Sequence, residues 1–217
     1  MIKVKGGSIL HQYKGKLIIH TGSMFSGKTS SLKKDVNRFN IAGYKTLAFK
    51  PQLDTRYAQA KIISHDNTSV EAKVIDNIDG IVDYCNEYNP DVIAIDEAQF
   101  LQGQIEEIIA TINGFLSKGI TVILAGLDMD FSAKPFELMK ELMPYADYLH
   151  KHHAVCVNCG SDGWVSHRKT KDLQRVVIGN SQEYEPLCRS CYNEEKSIEE
   201  ALINKNQVSI DDLKKDD

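Results

Sequence analysis

Apolar and polar positions along this chain fall into blocks whose spacing separates strands from helices. Leu17-Ile18-Ile19-His20 is a short apolar run that stops at Gly22, and from Lys28 apolar residues recur at helical spacing through Leu32, Val36 and Phe39 before Gly43 ends the pattern. That order predicts a strand, a turn and a helix. Three further runs, Thr46-Leu47-Ala48-Phe49, Val92-Ile93-Ala94-Ile95 and Thr121-Val122-Ile123-Leu124-Ala125, read as strands buried on both faces. Between the last two, Ile105, Ile108, Ile109, Ile112, Phe115 and Leu116 share one helical face and are assigned to the core. Alternating strands and helices imply an α/β fold with a parallel sheet covered on both sides. After about His150 the texture changes to short runs, glycines and paired cysteines. The expected organisation is a core over 15–150 and a small lobe over 151–195. Residues 1–14 and 205–217 are expected to be flexible ends, the last being rich in Lys and Asp.

Composition narrows the class. At 217 residues the chain can bury one sizeable core plus an appendage, and 42% hydrophobic with 26% charged residues lies in the soluble globular range. No apolar run approaches the roughly 18 residues of a membrane span. Met1 to Lys16 lacks the continuous apolar stretch of a signal peptide, so the cytoplasm is the expected compartment. A net charge of −4 gives no general attraction to nucleic acid.

Of five cysteines, Cys156, Cys159, Cys188 and Cys191 form two C-x-x-C pairs. In a reducing compartment two such knuckles supply the four thiolates of a closed tetrahedral zinc site, whereas a redox motif needs only one pair. Structural zinc is therefore expected. Cys85 lies on the apolar face of a predicted helix and reads as a small buried hydrophobe. His152, His153 and His167 are near the knuckles but read as non-ligands, because four cysteines already complete the shell. The interval 160–187 between the knuckles exceeds the about 15–20 residues of a compact ribbon, so a loop is being clamped at its base.

Gly22-Ser23-Met24-Phe25-Ser26-Gly27-Lys28-Thr29 matches G-x-x-x-x-G-K-[ST] and stands between the predicted strand and helix. In that setting backbone N–H groups and the helix N-terminus face a triphosphate, Lys28 brings positive charge to the β- and γ-phosphates, and the Thr29 hydroxyl is a ligand for Mg²⁺. The apolar run 92–95 then delivers Asp96 and Glu97 to a strand end. Asp96 suits Mg²⁺, and Glu97 suits proton acceptance from an attacking hydroxyl or water. These residues specify use of Mg·ATP without naming the acceptor.

Longer strings narrow the acceptor. Met24 to Thr29, Asp54-Thr55-Arg56-Tyr57, Asp96-Glu97-Ala98-Gln99-Phe100, Gly126-Leu127-Asp128-Met129-Asp130-Phe131, Lys134-Pro135-Phe136 and Cys188-Arg189-Ser190-Cys191-Tyr192 occur in this order between about Lys16 and Tyr192. In that order and spacing the chain resembles the type II, cellular-type thymidine kinases. The resemblance implies a RecA-like P-loop core with a zinc-anchored lasso lobe, and ATP-dependent phosphorylation of the 5′-hydroxyl of thymidine, with deoxyuridine as a further acceptor, for nucleotide salvage. It also implies a homotetramer inhibited by thymidine triphosphate. By position, Glu97 is similar to the family's general base, Asp96 and Thr29 to its magnesium partners, and Arg56 to the arginine beside that base. Met24, Phe100, Leu127, Phe131, Phe136, Ser166 and Tyr184 match residues around the nucleoside. In the lasso-like loop, Val176, Val177, Ile178 and Gly179 would offer backbone groups to the pyrimidine. Ser166 departs from the threonine common at its position but keeps the hydroxyl.

Two other classes share the P-loop: an ATPase acting on nucleic acid with the zinc lobe as its grip, and a non-catalytic nucleotide sensor. The first needs a basic or aromatic surface that the composition does not advertise. The second has no use for the Glu97 base.

Overall fold

The computed structural model describes residues 14–52, 61–63, 69–170 and 182–198. In chain order the core contains β1 (Leu17–Gly22), α1 (Lys28–Ile41), β2 (Thr46–Pro51), β3 (Lys61–Ile63), β4 (Ser69–Glu71), β5 (Lys73–Ile75), α2 (Ile78–Tyr88), β6 (Val92–Ile95), α3 (Ile105–Ser117), β7 (Thr121–Gly126), α4 (Glu137–Leu142) and β8 (Tyr148–His152). Strands β5, β2, β6, β7, β1 and β8 form, in that order, a six-stranded sheet in which every neighbouring pair is parallel. Strands β3 and β4 pair separately as an antiparallel hairpin.

Period-two alternation sorts the sheet's side chains between two layers. Leu17, Ile19, Phe49, Ile93, Ile95, Val122 and Leu124 point to one face and pack with Ile81 and Cys85 of α2, Ile108 and Ile112 of α3, and Met139 of α4. The residues between them, Ile18, Ala48, Ala94, Ile123 and Ala125, meet Leu32, Val36 and Phe39 of α1 on the other face. The expected α/β architecture with helices on both faces is therefore present, and the isoleucine stripe of α3 is core. Burial pushes the Cys85 thiol up to about 11, in keeping with an inert packing residue. Among the described residues no helix is long and apolar enough to cross a membrane.

The sheet runs past residue 150, where sequence texture places the end of the core. Strand β8 pairs with β1 along Tyr148–His152, yet four of its five residues are exposed. As a solvent-facing edge strand it carries no apolar run, so hydrophobic pattern does not mark it. Its last residue constrains the chain strongly. Gly22 pairs with His152 at φ 136°, and a Cβ there would lie 2.1 Å from the His152 carbonyl oxygen. Gly22→Ala is expected to destabilise the fold by at least ~1–3 kcal/mol. A urea denaturation midpoint unchanged from the parent would refute that packing.

Beyond β8 the small lobe has two short antiparallel pairs: β9 (Ala154–Val155) with β10 (Asp162–Gly163), and β11 (Val165–Arg168) with β12 (Tyr184–Leu187). A helix follows over 189–198. Cys156, Val165, Leu187, Cys191 and Tyr192 form its modest core.

Candidate functional site

Because the sheet is parallel, the C-terminal ends of β1, β6 and β7 open on one edge, where open α/β sheets bind ligands. The glycine-rich loop leaves β1 there. Gly27 adopts φ 84° as it caps α1, and Phe25 adopts φ 63°, so the loop curls around the helix N-terminus. The Ser23 and Ser26 hydroxyls are buried without a hydrogen-bond partner among the described residues. Lys28 donates to the Ser23 carbonyl at 2.7 Å. Burial lowers the pKa of its ammonium, opposed by the charges of Glu97, Asp96 and Asp128. Orphaned donors, a buried cation and a helix N-terminus together suit an oxyanion such as a phosphate.

At the end of β6, Asp96 accepts from the Thr29 hydroxyl at 3.1 and 3.3 Å to its two oxygens. Burial first, and then the charge of Glu97, push Asp96 up to about 6, while Lys50 and the Thr29 bond pull it back. A hydroxyl and a buried carboxylate in contact are the oxygen donors a small hard cation prefers, so this pair fits Mg²⁺. Glu97 sits in the left-handed region, at φ 54° and ψ 38°. For a residue other than glycine such a conformation is uncommon and concentrates at functional sites. The Glu97 side chain meets Gln99, whose Nε2 donates to Glu97 Oε2 at 2.6 Å.

The small lobe reaches this edge directly. The Ser166 hydroxyl accepts from the Met24 backbone N–H at 2.8 Å, joining β11 to the phosphate loop. Arg168 stacks its guanidinium over the Phe131 ring at 3.8 Å and donates to the Tyr184 hydroxyl at 2.7 Å and 3.2 Å. Tyr192 donates from its hydroxyl to the Phe131 carbonyl at 3.3 Å. Phe100 meets Phe136 edge to face with centroids 5.8 Å apart, and Leu127 packs in the same cluster. Residues drawn from distant stretches, Met24, Ser166, Phe131 and Tyr184, thus become one connected set, with Phe100, Leu127 and Phe136 in a second. Arg56 and the segment Val176, Val177, Ile178 and Gly179 lie outside the described residues.

Cys156, Cys159, Cys188 and Cys191 bring their sulfurs within 4.8 Å of one another, and Cys159 and Cys188 approach to 3.6 Å without a disulfide. Four sulfurs about 2.3 Å from a common centre lie about 3.8 Å apart, so the cluster fits a tetrahedral thiolate-bound metal ion. The Ser161 hydroxyl, followed by its backbone group, helps hold the Cys159 thiol down to about 6. His167 faces Glu185 at 3.2 Å and His152 faces His20 at 3.0 Å.

Sequence reading assigned no role to four residues beside this edge. Gln99 lies inside the string Asp96 to Phe100 and Arg168 at the end of β11, and each makes contacts far along the chain. His20 bridges Asp35 of α1, at 3.0 Å, to His152 of β8, bracing the sheet beneath the phosphate loop. Burial, then the neighbouring charge of His20, lowers His152 to about 4, so it serves as a neutral partner. Asp128, at the end of β7, pairs with Lys151 of β8 at 2.9 Å. Asp128 lies within the string Gly126 to Phe131, just past an apolar strand, but its partner Lys151 is distant in sequence.

Comparison with known proteins agrees with this geometry. The family model described as thymidine kinase matches residues 15–192. A thymidine kinase of Bacteroides thetaiotaomicron is 42% identical over 179 residues, covering 82% of this chain and 87% of that protein. One from Porphyromonas gingivalis is 39% identical over 82% of this chain and 85% of its own length. Another, from Roseiflexus sp. (strain RS-1), is 38% identical over 82% of this chain and 95% of its own. With a phosphate loop, an acidic strand end and a four-cysteine lobe all within the matched span, the chain belongs to the thymidine kinase family.

Proposed function

We propose that this protein transfers the γ-phosphoryl group of ATP to the 5′-hydroxyl of thymidine, and to that of deoxyuridine, in cytoplasmic nucleotide salvage. The observation that carries the reading is the position of Glu97 beside the Thr29–Asp96 pair and the phosphate loop, in a chain of this family. The loop Gly22 to Thr29 wraps the phosphates with the N–H groups of Gly22, Ser23, Phe25, Ser26, Gly27, Lys28 and Thr29, that of Met24 being bonded to Ser166, and the Lys28 ammonium balances charge that builds on the transferred group. Thr29 and Asp96 hold Mg²⁺, which when bound neutralises β- and γ-phosphate charge. Glu97 removes the 5′-hydroxyl proton as the oxygen bonds to the γ-phosphorus and the bond to the bridging oxygen of ADP breaks. Arg56 steadies that base.

Met24, Phe100, Leu127, Phe131, Phe136, Ser166 and Tyr184 enclose the nucleoside, with backbone of Val176, Val177, Ile178 and Gly179 meeting the pyrimidine. Zinc on the four cysteines anchors that loop. The functional unit we propose is a homotetramer. A nucleic-acid ATPase is disfavoured, since contacts of Ser166 with Met24 and of Arg168 with Phe131 commit this face of the small lobe to the core.

Purified protein given Mg·ATP and a panel of nucleosides is expected to yield thymidine monophosphate. Hydrolysis of ATP that is indifferent to added nucleoside would overturn the proposal. Thymidine triphosphate, placing its base in the nucleoside site and its phosphates toward the donor site, is expected to inhibit at far lower concentration than cytidine triphosphate. Equal inhibition by the two would show that the base pocket lies elsewhere.

A further inference from the structure

We infer that Gln99 is a positioning residue that holds the Glu97 carboxylate in its reactive orientation and ties it to the backbone at the end of β7. The proposal rests on Glu97 being the base. Gln99 is 8% exposed, and both ends of its amide are engaged. Its Nε2 donates to Glu97 Oε2 at 2.6 Å, and its Oε1 accepts from the Leu127 backbone N–H at 3.0 Å. Only this orientation of the amide satisfies both neighbours, because a carboxylate can only accept and an N–H can only donate.

The fold makes room for this bridge. A Cβ on Gly126 would come within 2.8 Å of Gln99 Oε1 and 2.9 Å of the Met139 sulfur, so the absence of a side chain at the end of β7 is what admits the amide. Glu97, held at φ 54° on a turn beyond β6, lies outside the ladder that ends at Ile95. A charge-assisted bond from a buried, doubly anchored amide constrains its side chain and leaves Oε1 of Glu97 for the proton. The same amide sets the backbone of Leu127, so one side chain links the proposed base to the proposed nucleoside wall.

Gln99→Glu separates the two halves of the bridge. It keeps the length and an acceptor for Leu127 N–H, but sets a second carboxyl group against Glu97, and because two carboxyls at that distance cannot both ionise the pair retains a proton that weakens Glu97 as a base. With thymidine and Mg·ATP, kcat is expected to fall about ten- to a hundredfold, the worth of a hydrogen bond to a charged group, with the thymidine dissociation constant within about threefold of the parent. In a double-mutant cycle, adding Gln99→Glu to Glu97→Gln is expected to cause no further loss, because the group it orients has already lost its basicity. Losses that multiply, or a Gln99→Glu variant with parental kcat, would overturn the proposal while leaving the base assignment intact. A Glu97→Gln variant that is itself active would bring down both. Should Gln99→Glu fail to fold, Gln99→Met runs the same cycle, with an added thymidine-affinity loss expected through Leu127.

Discussion

Replacing Glu97 with glutamine is expected to lower kcat about 10²–10⁴-fold, the usual range for loss of a general base. The substitution preserves size, and its side-chain carbonyl can still accept from Gln99 Nε2, so the orientation at the end of β6 is retained. What disappears is basicity. The Thr29–Asp96 pair does not involve the Glu97 side chain and should remain, so ATP affinity is expected to change little. Thymidine affinity, measured directly, should also change much less than kcat. A variant whose kcat stays within about tenfold of the parent, with chemistry shown to be rate-limiting, would remove Glu97 from its proposed role.

Cys188→Ser is expected to release the metal and abolish detectable thymidine binding while ATP binding persists. The lobe's apolar cluster is small: it consists of Cys156, Val165, Leu187, Cys191 and Tyr192, of which two are themselves metal-ligand candidates. Structural zinc in peptides of comparable size contributes roughly 10–16 kcal/mol of apparent binding free energy at neutral pH, far more than a few apolar side chains supply. Without it the β11–β12 pair loses its anchor, and with it go Ser166 beside Met24 and Arg168 against Phe131. The six-stranded sheet has its own two-layered core and is expected to stay folded. Stoichiometric zinc in the parent and its absence in the variant would be read by metal analysis, and nucleotide and nucleoside affinities by calorimetry. A variant that phosphorylates thymidine normally would disprove the proposed coupling of the lobe to the nucleoside.

Much of this is legible in the sequence because the chemistry is local. Eight contiguous residues, Gly22 to Thr29, specify a phosphate loop, and their setting between an apolar strand and a helix follows from periodicities spanning a few residues on either side. Each cysteine pair lies on a single knuckle, so a four-thiolate site needs only that two knuckles meet. The buried strands β1, β6 and β7 announce themselves by apolar side chains on both faces, and α3 by its isoleucine stripe.

Other features depend on residues that meet only when the sheet is assembled. Strand β8 is exposed and mostly polar, so its partnership with β1 rests on backbone hydrogen bonds and on long-range pairs such as His20–His152, which an apolar pattern does not mark. Gln99 looks like any polar residue after a strand until β6 and β7 lie side by side and put the Leu127 N–H within its reach. Arg168 acquires meaning only when the small lobe lays it on Phe131, and His20 only when α1 and β8 bring Asp35 and His152 to its two ring nitrogens. Pattern and motif therefore established the fold class, the phosphate loop and the thiolate cluster, each the product of near neighbours in sequence. The orientation of Glu97 and the junction between lobe and core came from packing, because hydrogen bonds of fixed length between distant segments exist only once the sheet has set their separation.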